Sequence, residues 1–441
     1  MTTLAIQPSI ERSLRSSSKN KVFLSAYICN MLEMYDFLIT GMMFPYISQL
    51  FFPLENKTSV LLAGSLTFLV GFLMRPVGGL LFGYIGDVYG RKKALLLSIF
   101  GMAIATVCMG LLPTYESIAL WAPLLFVLLR LVQGLCLGGE GQGASVFVLE
   151  HYKGINPGKW GGLLATSNGM AALLAFFISM LVFSNGAPEG AWRFCYLFGA
   201  SLGLVGLYLR SFILESPAFV QSSSQKFKQL PIIKVLKDRK INMVNIILCV
   251  GIGACLTYTG FTFVNLFLNK FLNFSSSFSL SCAAFGTVLA MMAVGIGGRV
   301  CDKFGLYKTL SFSLVFMILF MFPIHWLLAL GEKWSIVLSL FLLAIPTGGT
   351  CGSMPHLVAS SFSTKERYTG AAFTNNLAQA LLGGVQPFLA IYLITMTDVL
   401  WSPAIYPCIL AGLYLIFLLT FKNKLKVFEY VSEKGKANES S

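Results

Sequence analysis

The sequence predicts an all-α membrane protein in which twelve transmembrane helices form two pseudo-symmetric six-helix bundles. Composition is the first observation behind this. Of 441 residues, 56% are hydrophobic and 11% charged, against roughly 25% charged in an average soluble chain. The second is a row of apolar runs of about 20 residues, the length that crosses a bilayer as a helix. The third is an internal repeat: Gly83-Tyr-Ile-Gly-Asp87-Val-Tyr-Gly90-Arg91-Lys92-Lys93 returns as Gly298-Arg-Val-Cys-Asp302-Lys-Phe-Gly305-Leu-Tyr-Lys308. Each copy lies between two apolar runs, at the same point of its half.

In chain order the predicted spans are 23–50, 59–82, 94–112, 119–147, 161–184 and 192–213, then 242–269, 280–301, 309–330, 335–361, 370–395 and 403–421. The first contains two acids, Glu33 and Asp36. The second contains Arg75-Pro76 and closely spaced glycines, and ends at the first repeat motif. The third starts after Lys93; the fourth carries Arg130 and a glycine-rich stretch around Glu140. The fifth is uncharged, and the sixth opens at Ala191-Trp-Arg193. The eighth ends at the second motif, and the seventh and eleventh carry neutral polar residues. The organisation follows: a tail 1–21, a bundle 22–213, a polar linker 214–240, a bundle 241–421 and a tail 422–441. The 1–21 stretch has no small-residue cleavage site after a short apolar core, so it reads as a tail and not as a signal peptide.

Charge orients these spans. Of the 32 Lys and Arg, 26 fall in the alternate polar segments that include both tails, and only Lys57, Lys270 and Lys333 fall on the opposite side. Cytoplasmic segments are the Lys/Arg-rich ones, so both termini are expected inside. The net charge of +14 then reflects topology, and no nucleic-acid partner is expected. The ten cysteines lie in or at the ends of spans without a CxxC pair, which suits apolar packing and no disulfide framework. His151, His325 and His356 share no ligand spacing, so no metal is expected. An enzyme would need a nucleophile with a base or a metal cluster, and neither pattern is present.

Ionisable groups inside a bilayer are costly, which makes Glu33, Asp36, Arg75, Arg130 and Glu140 functional candidates. Glu33 and Asp36, three apart, project from nearly the same face of one helix. Two close carboxylates in a low dielectric cannot both ionise cheaply unless a cation compensates, which is what a proton site needs. Arg75 has two readings, attraction of an anionic substrate or a packing role through snorkelling or pairing. Glu140 lies about 15 Å along the helix from Arg130, so it reads as a structural or gating residue. In the second half the candidates are neutral: Tyr258, Thr262 and Asn265 on helix seven, and Asn375, Asn376, Gln379 and Gln386 on helix eleven. Asn265 lies seven residues beyond Tyr258, a spacing that returns to the same helix face. Each of these also reads as a packing hydrogen bond between membrane helices.

Several motifs in order carry a resemblance. They are Leu32-Glu33-Met34-Tyr35-Asp36-Phe37, Arg75-Pro-Val-Gly-Gly-Leu-Leu-Phe-Gly83, Arg130-Leu-Val-Gln133-Gly134 with Gly138-Gly139-Glu140, and Ala191-Trp192-Arg193-Phe194. Leu214-Glu215-Ser216-Pro217-Ala-Phe219 and Glu366-Arg367-Tyr368-Thr369-Gly370, with Gly383-Gly384 and Pro387, complete the set. Across almost its whole length the chain resembles the major facilitator superfamily. Within it, the likeness is to metabolite:proton symporters related to bacterial carriers of proline/betaine, 2-oxoglutarate, citrate and shikimate. It departs at Leu306-Tyr307-Lys308, where the first motif copy has Arg91-Lys92-Lys93, and at Asn375-Asn376, where a Tyr-Asn type pair is common. The short 422–441 tail lacks the heptads of the osmosensing members.

The resemblance implies a monomeric, proton-driven importer in a bacterial inner membrane, without a cofactor. It would work by alternating access, with a small carboxylate-bearing substrate near the midplane; Arg130 and Arg75 favour an organic anion over a zwitterion. Related sugar carriers pair a helix-one Asp with a helix-four Arg, which implies that Arg130 holds deprotonated Asp36 and, on protonation, turns toward a substrate carboxylate. The cytoplasmic gate would comprise Asp87 at the N-terminus of helix eleven and Arg91 paired with Glu150. Asp302, Glu215 and Glu366 with Arg367 would make the related contacts. The alternative is a drug or metabolite exporter of the same superfamily working by proton antiport. A channel would need a filter or pore symmetry, for which no segment is evident.

Overall fold

A computed structural model describes residues 19–52, 57–152, 155–182, 190–211, 215 and 231–428. Twelve long helices hold nearly all of them: α1 (Lys19–Phe51), α2 (Lys57–Val88), α3 (Arg91–Leu111), α4 (Trp121–His151), α5 (Pro157–Val182) and α6 (Ala191–Ser211). The second six are α7 (Lys240–Lys270), α8 (Ser276–Phe304), α9 (Leu306–Ala329), α10 (Lys333–Ser360), α11 (Arg367–Thr397) and α12 (Ile405–Phe421). Ten of the twelve are long and apolar enough on their described residues to cross a membrane. Their outer faces are apolar: α3 exposes Leu97, Phe100, Ile104 and Leu111, and α12 exposes Ile409, Leu413, Ile416 and Leu419. Helical spans leave no backbone polar group unsatisfied, and such stripes then face lipid at no solvation cost.

Packing follows the sequence repeat. In the first half α2 lies against α4, α3 against α4 and α6, and α1 against α5 and α6; in the second, α8 lies against α10, and α9 against α10 and α12. Across the halves α2 and α4 meet α11, while α5 meets α8 and α10. The glycines let backbones touch. A Cβ on Gly138 would come within 2.7 Å of Gly79 N, and one on Gly352 within 2.6 Å of Gly298 N, so equivalent helix pairs use equivalent glycines.

The repeated motif has one backbone conformation in both copies. Gly90 (φ 119°) separates α2 from α3, and Gly305 (φ 94°) separates α8 from α9. This region admits little besides glycine. Both motif acids are still helical, so α2 and α8 run about a turn further than hydropathy suggests. The linker expected over 214–240 contains a helix, Pro231–Asp238, whose Val235 is fully buried. Residues 216–230 of that linker, 1–18 of the first tail and 429–441 of the second lie outside the described residues. From Lys19 onward, part of the expected first tail is already α1.

The contact of α5 with α8 generates a test. A Cβ on Gly298 would lie 3.0 Å from the carbonyl carbon of Gly158 and 3.1 Å from Gly162 Cα. Gly298→Val is expected to hold this face open, because overpacking by about 1–3 kcal/mol shifts the closed state by about fivefold or more. Maleimide labelling of Cys351 from the Asp87 side, in a variant keeping only that cysteine, should rise; unchanged labelling would show that the contact does not control closure.

Candidate functional site

The two halves are joined at one face by carboxylates seated on helix N-termini. At the end of α2, Asp87 accepts the backbone N–H groups of Tyr368 (3.2 Å) and Thr369 (2.8 Å) in the first turn of α11. At the end of α8, Asp302 accepts those of Gly158 (2.8 Å) and Lys159 (2.7 Å) in the first turn of α5. Such N–H groups lack intrahelical partners and carry the positive end of the helix dipole. Arg91 reinforces the first of these contacts, donating to Asp87 (2.5 Å) and to the carbonyl of Thr364 (2.7 Å). Glu150 lies 3.6 Å from Arg91 and 3.2 Å from Arg367. The four charges are buried and sum to zero, which suits a low-dielectric site.

Glu215 and Glu366 are placed differently from the expectation. Glu215 accepts the backbone N–H of Lys92 at the start of α3, inside the first half. Glu366 binds Lys234 (3.1 Å) and Arg239 (2.8 Å), tying the Pro231–Asp238 helix to the start of α11 inside the second half. The physical reason is proximity along the chain: those basic groups sit beside Glu366, whereas Arg367 turns toward Glu150. Burial opposes ionisation of Glu366, but the hydrogen bonds from Arg239 and Lys234 outweigh it and hold its carboxyl below the ordinary glutamate value.

Between the halves lies a cavity of about 180 Å³. It is lined from α1, α5, α7, α8, α10 and α11. Its described lining has no carboxylate, ammonium or guanidinium; the polar groups include Thr166, Asn168, Thr257, Tyr258, Thr347 and Gln379, and the aromatic ones Phe37, Tyr258 and Phe261. Asn168 is oriented by Asn30, whose amide donates to its Oδ1 at 2.8 Å. Tyr258 and Gln379 thus reach the cavity as expected from sequence, but Asn265 does not. Residues Thr259–Phe263 form a π-helical turn, whose wider winding breaks the seven-residue return to one face.

The intramembrane charges lie behind this lining. Asp36 and Arg130 do not form the expected direct ion pair. They are linked by two neutral side chains: Thr106 Oγ1 donates to Asp36 (3.3 Å), Gln133 Nε2 donates to Thr106 (2.9 Å), and Arg130 donates to Gln133 Oε1 (3.0 Å). Asp36 is 2% exposed, and its Oδ1 has no hydrogen-bond partner among the described residues. Arg130 and Arg75 stack on Phe37 at 5.0 and 5.5 Å, and that ring lines the cavity whereas neither guanidinium does. Arg75 donates to Asn376 (3.1 Å), Asn376 donates to the carbonyl of Gly138 (2.6 Å), and Gln142 donates to Asn375 (3.0 Å). Asn375 and Asn376 therefore tie α11 to α2 and α4, a second tier of contact between the halves. Glu33 turns to Arg210 (3.3 Å), which also binds Glu140 (2.6 Å).

Sequence assigns no role to Thr106, Gln133, Asn168 or Arg210, although Gln133 falls in the Arg130-Leu-Val-Gln133-Gly134 motif. The first three are neutral and ordinary in a span. Arg210, at the end of a span, counts equally well as a loop cation.

This fold and these buried, hydrogen-bonded charges around a central cavity define a multi-pass membrane transport protein and not an enzyme. The Major Facilitator Superfamily model matches residues 26–387, and the chain belongs to that family. It is 32% identical to the inner membrane metabolite transport protein YhjE of Escherichia coli, over 91% of this chain and 94% of the relative. It is 30% identical to the glycine betaine/proline/ectoine/pipecolic acid transporter OusA of Dickeya dadantii, over 91% of this chain and 83% of the relative. Among solved structures, the proton:xylose symporter XylE with a bound bromo-deoxyglucose superposes with a TM-score of 0.75 at 16% identity, covering 92% of this chain and 96% of that one.

Two outcomes are expected at the closed face. Asp87→Asn removes a charge worth about 1–2 kcal/mol at a helix N-terminus, so the closed state should lose about tenfold in population. Cysteine labelling from that face should rise while solute binding persists. Because the carboxyl of Glu366 is held below its ordinary value, the cluster stabilises the fold above that ordinary value and loses this contribution as pH falls through the lowered one. Thermal unfolding across acidic pH should show a decline that Glu366→Gln flattens.

Proposed function

We propose that the protein is a proton-coupled symporter that imports a small carboxylate-bearing metabolite by alternating access. The observation that carries this reading is the chain from Asp36 through Thr106 and Gln133 to Arg130, set directly behind the cavity wall at Phe37. A proton taken up at Asp36 Oδ1 neutralises the carboxylate and weakens its pull on the Thr106 hydroxyl. Gln133 and Arg130 are then held less firmly on the Asp36 side, and Arg130 gains freedom toward Phe37 and the cavity. The bias of Lys and Arg supports a cytoplasmic Asp87 face, so the state described is closed to the cytoplasm. The relatives support a bacterial inner membrane, and the closed hydrogen-bonded halves of a single chain are consistent with a working monomer.

The neutral lining favours a zwitterion over a multiply charged anion. Asn168, Gln379 and the Tyr258 hydroxyl offer hydrogen bonds to a carboxylate, and the rings of Phe37, Tyr258 and Phe261 suit a compact ammonium group. The solutes for which OusA is named, glycine betaine, proline, ectoine and pipecolic acid, are of this chemistry. A second reading, an organic anion, is supported by Arg130 and Arg75 stacking on the Phe37 ring that lines the cavity.

Purified protein in proteoliposomes, given labelled proline, glycine betaine and a monocarboxylate under an imposed pH gradient, tests this. One pH unit is about 1.4 kcal/mol per proton, enough for about tenfold accumulation of a zwitterion. Asp36→Asn should exchange solute across the membrane yet fail to accumulate it. Normal accumulation by that variant removes Asp36 from coupling, and efflux driven by an inward proton gradient makes the protein an exporter.

A further inference from the structure

On the α6 side of α1 a second set of charges is fully enclosed. Arg210 Nη1 lies 2.6 Å from Glu140 Oε2 and 3.3 Å from Glu33 Oε1, and it also donates to the carbonyl of Leu95 at 3.0 Å. Ser98 donates to the other oxygen of Glu140. The three charged side chains are 5% exposed or less. Glu140 is thus well satisfied, whereas Glu33 has only the longer contact to the cation and lies against the carboxyl of Glu140. Oε2 of Glu33, and Nη2 of Arg210, have no hydrogen-bond partner among the described residues.

The other titratable groups facing the cluster supply no second cation. Cys29 of α1, Cys136 of α4 and Tyr368 of α11 are neutral in their ordinary states, and Arg91 is paired with Asp87 and Glu150. Lys92 of α3 is turned to the carbonyl of Ser211, at 2.7 Å. Two carboxylates and one guanidinium leave a net charge of −1, in contrast to the balanced set of Asp87, Arg91, Glu150 and Arg367. An unbalanced buried charge is unfavourable, and one proton on Glu33 removes it. A small cavity of about 10 Å³, room for about one water, is lined by Lys92, Leu95, Phe147 and Arg210 and approaches the cluster from the Asp87 side.

We propose that Glu33, Arg210 and Glu140 form a second proton-binding site, separate from Asp36. A proton added to Glu33 Oε2 takes the cluster from a net charge of −1 to zero, and it is held in the closed state described here. This deepens the symporter reading and rests on it for its role, although the binding itself is measured independently.

Infrared difference spectra of the full-length protein in lipid, titrated with acid and base, read protonated carboxyl groups directly. Wild type should show a carboxyl C=O band that Glu33→Gln removes. Glu140→Gln should also remove it, because Glu33 then balances Arg210 alone and stays ionised; this second variant serves if the first misfolds. The band should persist in Asp36→Asn. Because Asp36 can contribute a band of its own, both glutamine variants are also made in the Asp36→Asn background, where a band that survives either substitution overturns the proposal. Loss of the Glu33 band alongside normal accumulation by Asp36→Asn would overturn the Asp36 coupling role and leave this site standing.

Discussion

The seating of one carboxylate on the N-terminus of a helix from the other half, made twice, is the constraint on which the closed state depends. Asp87 on α11 and Asp302 on α5 fix the two contact lines between halves at their ends, and all closer packing of α2 with α11 and of α5 with α8 follows along those lines. Each link is a charge-assisted hydrogen bond to backbone groups that exist in every state, so breaking it exposes donors that water can satisfy. A latch of this kind is strong enough to select one state and weak enough to open. The copies are unequal because Arg91 and Glu150 enclose the first, while Leu306 replaces the arginine in the second.

The fourth helix connects that latch to the interior. From one end to the other α4 carries Arg130, Gln133, Gly138, Glu140, Gln142 and Glu150, which between them bond to α3, α6 and α11. Arg130 and Gln133 answer to Asp36, Glu140 to Arg210 and α1, and Gly138, Gln142 and Glu150 to α11. A change of charge at either acid site therefore acts on the same rigid rod that holds α11 in the closed position. In the proposed cycle coupling needs no long wire, since one helix bears both the partners of Asp36 and the contacts to α11.

Sequence made the parts of this that depend on pattern visible. The repeated Gly90 and Gly305, the motif acids and the paucity of second-half charges were legible because a positive φ, a helix cap and a buried ion each demand particular residue types. What escaped is what depends on local winding or on neutral partners. Asn265 was assigned to the cavity by α-helical spacing, which the π-helical turn at Thr259–Phe263 invalidates. Asn375 and Asn376 read as substrate ligands because they are polar and central, yet α11 turns them toward α2 and α4. Arg210 was counted as a topological cation because it ends a span, and Thr106 and Gln133 give no signal until Asp36 and Arg130 are seen on either side of them.

The separation of the charges from the cavity identifies the element through which proton and solute act on each other. No described cavity-lining residue is ionic, so a bound solute in this state touches neither Asp36 nor Glu33. Met34, Phe37 and Leu38 of α1 face the cavity, while Glu33 and Asp36 of the same two turns face α6 and α3. A helix moves as one body, so any displacement of Phe37 by solute also displaces Asp36 relative to Thr106, and any change in the pull on Asp36 shifts the wall that solute meets. By linkage the effect is reciprocal: a proton that favours one position of α1 must favour the solute that fits it. In the proposed symport, coupling on the solute side is then a property of α1, with charge on one face and shape on the other.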